Sequence, residues 1–160
     1  MAARWSAMRM LERRPHAIGE IRRKLERKGY EPAAIEAAVD RLKDQGLLDD
    51  EAFAAAFVRS RLARKPTGRR LLAMQLHVRG VDRTVATAAA SAAGTAEADR
   101  AVEAARQYLR RKPFKHAGAR TREAAMERSR LMGWLFRQGF DPDAARKALA
   151  VAGVPEEDAD

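Results

Sequence analysis

The sequence predicts an all-α fold, an elongated array of three tandem three-helix repeats with nine helices. Three observations predict it. One pattern of apolar spacing, glycine and acid recurs three times along the chain. Large apolar residues are too few for one deep core. Of 160 residues 46% are hydrophobic, but 35 are alanine, and Val, Ile, Leu and Phe together number only 29. Finally, no segment alternates with the period of two that marks a strand. Three thin cores in series fit this composition.

The first helix is expected from about residue 4 to 13, with Trp5, Met8 and Leu11 inward and Pro15 as its break. The second presents Ile21 and Leu25 four residues apart and ends at Gly29, because glycine accepts the left-handed conformation of a helix C-terminus. Tyr30 anchors the turn, Glu31 stands at the capping position and Pro32 in the first turn of the third helix, whose inward residue is Val39. The same series returns as Leu72, Leu76, Gly80, Val81, Asp82 and Ala90, and again as Leu131, Leu135, Gly139, Phe140, Asp141, Pro142 and Leu149. The leading helix of the middle repeat runs from Asp50 to Arg64, with Asp49 or Asp50 as cap and Phe53 and Phe57 inward. The third repeat opens from about Ala96 to Arg110 on Val102, Ala105 and Leu109. Breakers at Lys65-Pro66-Thr67-Gly68 and from Lys112-Pro113 to Gly118 separate the units. The repeats are bounded at 1–48, 49–94 and 95–152, with an acidic tail at 153–160. Tyr30, Trp134, Phe136 and Phe140 are assigned to the apolar layer.

The net charge of +10 is unevenly placed. Between Glu51 and Asp82 stand Arg59, Arg61, Arg64, Lys65, Arg69, Arg70 and Arg79, with no acid. Between Glu103 and Glu123 stand Arg106, Arg110, Arg111, Lys112, Lys115, Arg120 and Arg122, again with no acid. The rest of the chain is net −4. Such blocks attract polyanions, nucleic acid first and acidic protein surfaces second; the plainer alternative is a solvated face. The absence of cysteine excludes disulfides and thiolate sites and suits a cytoplasmic protein. The longest uncharged run, Thr84 to Ala96, is too short to span a bilayer, so no membrane partner is expected.

Several segments resemble the RecX family of bacterial recombination regulators. They are Glu20-Ile21 through Lys28-Gly29-Tyr30, then Gly46-Leu47-Leu48-Asp49-Asp50 with Phe53-Ala54 and Phe57. Further on are Gly68-Arg69-Arg70-Leu71-Leu72, Leu76, Arg79-Gly80-Val81, and Leu135 with Gly139-Phe140. The resemblance implies three tandem three-helix repeats, no catalysis and binding in the groove of the RecA filament. There such proteins restrain filament growth and the ATPase, strand-exchange and coprotease activities of RecA in recombination and SOS repair; some also bind DNA. The chain departs from the pattern at Ala17, where family members usually carry a capping serine, so the second helix should begin less firmly. Leu71 and Gln75 stand where a basic and an acidic residue are common, and Ala86 and Ala145 replace larger apolar residues.

Candidate contacts with RecA or DNA follow from exposure on the helical wheel and from the basic blocks: Arg23, Arg27, Arg69, Arg70, Arg79, Arg110, Arg111, Lys112, Lys115, Arg130 and Arg137. Tyr108 and Phe114, interleaved with the cations around them, match the composition of single-strand binding surfaces. Leu71, Met74 and Val78 form a second apolar stripe opposite Leu72 and Leu76. It packs against a neighbouring repeat, or contacts RecA or a second copy. No catalytic constellation appears. His16, His77 and His116 fall in three different repeats, and no phosphate-loop, His-Glu-x-x-His or Gly-x-Ser-x-Gly motif is present. Asp49-Asp50 reads as a helix start. No enzyme, metal or cofactor is implied; the partners expected are the RecA filament and, weakly, single- or double-stranded DNA, with the protein a monomer. The alternative is a stand-alone basic helical DNA-binding protein, and a third class is a purely structural helical-repeat adaptor.

Overall fold

The computed structural model describes residues 2–93, 96–116 and 120–151; the acidic tail at 153–160 lies outside the described residues. The described chain holds nine helices and no strand. They are α1 (Ala2–Leu11), α2 (Ile18–Glu26), α3 (Pro32–Asp44), α4 (Asp50–Arg64), α5 (Arg69–Arg79), α6 (Arg83–Ala92), α7 (Glu97–Arg111), α8 (Arg122–Arg137) and α9 (Pro142–Val151). Three repeats of three helices are therefore present, as the apolar spacing requires.

The residues that define the repeat behave alike in all three copies. Ile21, Leu25, Leu72, Leu76, Leu131 and Leu135 are fully buried, and Val39, Ala90 and Leu149 are buried in the following helices. Each such large side chain contributes about 1.5–3 kcal/mol by leaving water. Gly29, Gly80 and Gly139 take positive φ values of 81°, 99° and 85°, the conformation that stops the helix without a Cβ penalty. The acids after them are not equivalent. Asp82 accepts from the Thr84 N–H at 2.8 Å and Asp141 from the Ala144 N–H at 2.8 Å. Glu31 makes no side-chain cap, so α3 starts on Pro32 alone.

The chain divides into two compact units. Unit 1 comprises Met1–Val58 and Ala73–Ala89, and unit 2 comprises Arg59–Leu72 and Ala90–Asp160, so α4, α5 and α6 each give one end to each unit. In unit 1, α1, α2 and α3 pack on one another around Ile21, Leu25, Ile35, Val39, Leu42 and Leu48. The inward residues of α1 are Ala3 and Ala7, with Met8 and Leu11 partly covered, whereas Trp5 stands 58% exposed. The expectation that Trp5 belongs to the core is therefore corrected: the buried side of α1 is lined by methyl groups, which let helices approach closely. In unit 2, α7 packs extensively with α9, and both meet α8. The cluster joins alanines of α7 and α9 to Leu131, Leu135 and the fully buried Phe140. Trp134 lies at its edge, but Phe136 is 41% exposed, a second correction. Leu131 and Leu135 are four apart and share the inner face, which turns Phe136 about 100° away from it.

Candidate functional site

The cations of α2 depend on how that helix begins. Ala17 offers no side-chain cap, yet the helix is capped: the Ile18 N–H donates to Asp50 Oδ1 at 2.9 Å. The expected weak start of α2 is thus remedied by an acid from the next repeat. Asp49 meanwhile caps its own helix, accepting from the Ala52 N–H at 2.9 Å. Partial burial pushes the Asp50 carboxyl above its ordinary range, against the opposing pull of the Ile18 N–H. The arrangement recurs in unit 2, where the Arg69 N–H at the start of α5 donates to Glu97 Oε1 of α7 at 3.0 Å. Glycines make these approaches fit. The Gly19 N–H donates to the Gly80 carbonyl oxygen at 3.2 Å, and the Gly68 N–H donates to the Gln138 carbonyl oxygen at 2.9 Å beside Gly139. A Cβ on Gly19 would lie 2.5 Å from the Gly80 oxygen, and one on Gly68 would overlap the Gly139 carbonyl.

With α2 so placed, Arg23, Arg27 and Arg79 line one hollow of unit 1, together with Arg14, Lys24, Glu20, Glu26 and Val78. Arg23 Nη2 donates to the Val78 carbonyl oxygen at 3.2 Å. Arg79 lies with its guanidinium carbon 4.4 Å from the centre of the Phe57 ring and donates to the Gln75 carbonyl oxygen at 3.0 Å. Arg27 is exposed. Two arginines are therefore held in place by neutral partners, with no ion pair to either among the described residues. Glu20, in contrast, is paired with two cations, Arg14 Nη2 at 2.5 Å and Lys24 Nζ at 2.9 Å, with the His16 ring Nε2 at 3.6 Å. Burial pushes its carboxyl up, but the hydrogen bonds from Arg14 and Lys24 prevail and hold it below the usual carboxylate range. Sequence reasoning misses Arg14 and Lys24 as site residues because they precede the acid-free blocks; the i and i+4 spacing of Glu20 and Lys24 is the available signal.

The candidates in unit 2 fare unequally. The Arg69 guanidinium lies 3.3 Å from Glu97 and 2.9 Å from Asp141, two carboxylates that neutralise it. Arg110 pairs with Glu103 at 3.2 Å on the exposed face of α7. Arg70, Arg111, Lys112, Arg130 and Arg137 are exposed, and so is Lys115, whose backbone N–H donates to Glu127 at 3.1 Å. The aromatic half of the single-strand pattern is partly covered here. Tyr108 and Phe114 pack against the buried cluster, and Tyr108 lies 5.1 Å from Trp134, ring centre to ring centre. Of the apolar stripe on α5, Leu71 is half-buried with its backbone against Gly139, whereas Met74 and Val78 are 55% and 68% exposed.

The fold and its surfaces define a class: a helical-repeat protein with exposed cations and, among the described residues, no cluster of metal-ligating side chains. Comparison places it further. The family models for the first and second three-helix domains of RecX match residues 3–42 and 49–89. The regulatory protein RecX of Mycobacterium avium (strain 104) is 36% identical over 144 residues, 89% of this chain and 80% of that protein. That of Thermobifida fusca (strain YX) is 35% identical over 156 residues, 95% of this chain and 81% of that protein. The crystal structure of RecX from Lactobacillus salivarius shares the fold, with a TM-score of 0.79 at 19% identity over 94% of each chain. The chain belongs to the RecX family of regulatory proteins.

Proposed function

We propose that this chain is a non-enzymatic regulator that binds the RecA filament and restrains its ATPase, strand-exchange and coprotease activities in recombination and SOS repair. The observation that carries the reading is membership of a family whose relatives are named regulatory proteins, over two matched three-helix domains. The exposed cations support it: Arg23, Arg27 and Arg79 gather in unit 1, and Arg70, Arg111, Lys112, Lys115, Arg130 and Arg137 remain exposed in unit 2. A RecA–DNA filament is a polyanion, and many weak contacts along it add through effective concentration. Met74 and Val78 are the apolar residues offered to the same partner. The protein acts as a monomer in the cytoplasm; no helix among the described residues is long and apolar enough to cross a membrane.

The second reading, a stand-alone DNA-binding protein, is favoured by the same acid-free blocks. One experiment separates them: the DNA-dependent ATPase of RecA, measured with this protein at limiting and at excess DNA. Inhibition that persists in DNA excess is expected. Loss of inhibition in excess DNA would indicate competition for DNA alone, and no effect in either regime would leave a structural adaptor.

A further inference from the structure

A second hollow of unit 1, about 690 Å³, lies apart from the residues singled out by the basic blocks. One wall is a face of α1 and the turn after it, carrying Trp5, Arg9, Arg13 and Arg14; the other carries Lys24, Lys28 and Tyr30. No acid lines it. Trp5 and Arg9 are four residues apart on one side of α1, and Arg13 follows in the turn after it. Arg13 stands in the tightened turn just past the end of α1, where its own N–H donates to the Met10 carbonyl oxygen at 3.2 Å.

The cations divide into two sets. Glu20 neutralises Arg14 and Lys24. Arg9, Arg13 and Lys28 make no ion pair among the described residues, and Lys28 Nζ is held by Ser6 Oγ at 2.9 Å, a neutral partner that fixes it without cancelling its charge. Beside them Trp5 keeps 58% of its surface in water, unlike Trp134, which packs on the unit 2 cluster and on Tyr108. Two unpaired arginines on one wall suit the phosphates of a strand, and an open indole beside them offers a stacking platform. An acidic polypeptide would use the cations and leave the indole idle. A hollow of this size accommodates a nucleotide.

From this juxtaposition we propose that the α1 hollow binds single-stranded nucleic acid, with Arg9, Arg13 and Lys28 on phosphates and a base stacked on Trp5. The site goes beyond RecA regulation and does not depend on it.

The chain has two tryptophans, so Trp134→Phe leaves Trp5 as sole reporter. In that background, titration with oligodeoxythymidylate at low salt should quench the Trp5 emission, while polyglutamate of equal charge should not. In the full chain Arg9→Gln with Arg13→Gln should weaken oligonucleotide binding at least tenfold by anisotropy and lower the slope of log K against log salt by about 1.4. Trp5→Ala should cost about tenfold and Trp5→Phe much less. All these positions except the half-buried Trp134 are exposed, and circular dichroism matching the parent establishes folding. Oligonucleotide binding with unchanged Trp5 emission, or no binding at low salt, would overturn the proposal. Equal quenching by polyglutamate would also overturn it and assign the hollow to an acidic protein. Because RecA is absent from every arm, these outcomes are separate from those of the ATPase experiment.

Discussion

His16 is buried, with Nδ1 2.8 Å from the Arg14 carbonyl oxygen and Nε2 2.7 Å from Lys24 Nζ. The carbonyl assigns the ring proton to Nδ1, so Nε2 accepts from the ammonium and the imidazole is neutral. Burial holds its pKa below 6.5, outweighing the carbonyl and Glu20. The unfolded chain therefore takes up that proton first, and stability falls as the pH drops below about 6.5. Glu20 acts in a lower window: its folded pKa lies below 4.5, so its contribution is present above that value and is lost as the pH falls through the folded one. Urea midpoints measured from pH 7 to pH 3 should show both; His16→Gln should flatten the upper window and Glu20→Gln the lower. Asp50 gives a test without titration. Asp50→Ala removes the side-chain cap of α2 and should cost about 1 kcal/mol at pH 7, whereas Asp50→Asn keeps an oxygen for the Ile18 N–H and should cost less.

At the scale of the helices, periodicity makes most of the fold legible. Residues spaced by four tell which side of α2, α5 and α8 is inward, and glycine with the following acid tells where each helix stops. Periodicity does not tell how close the neighbouring helix comes. That is why Trp5 and Phe136 are expected in the core, while Ala3, Ala7 and the alanines of α7 and α9 in fact line it. It is also blind to partners distant in sequence. The acids that cap α2 and α5 lie 32 and 28 residues away, so nothing local to Ala17 or Gly68 announces them. The candidate cations are legible as exposed residues, but the neutralisation of Arg69 by Glu97 and Asp141 is not. A pair of glycine substitutions tests the close approaches. Gly68→Ala, which drives a methyl into the Gly139 carbonyl, should destabilise by about 2 kcal/mol or more in urea denaturation. Gly133→Ala, within α8 and 3.5 Å from only the flexible Arg137 side chain, should instead stabilise by about 0.5–1 kcal/mol.

Over the whole molecule, the excess charge is the property that the proposed polyanionic partner would read. Inhibition of the RecA ATPase should weaken steeply between about 50 and 200 mM salt. Neutralising Arg23, Arg27 and Arg79 together should make that dependence shallower, whereas neutralising Arg69, already paired with two carboxylates, should change it little. The repeats are also less separable than their shared pattern implies. The start of α2 is shaped to the turn at Gly80, and the start of α5 to the turn at Gly139, each time with a glycine on both sides and an acid lent by the later repeat. A three-helix segment cut at the linkers would carry away half of each such joint. Chimaeras between relatives should therefore be spliced inside a repeat, so that both glycines and the lent acid descend from one parent. Duplication of a single repeat would likewise succeed only if its new neighbour supplied the matching glycine and acid. The joint, more than the helix bundle, is the unit that such a lineage must inherit intact.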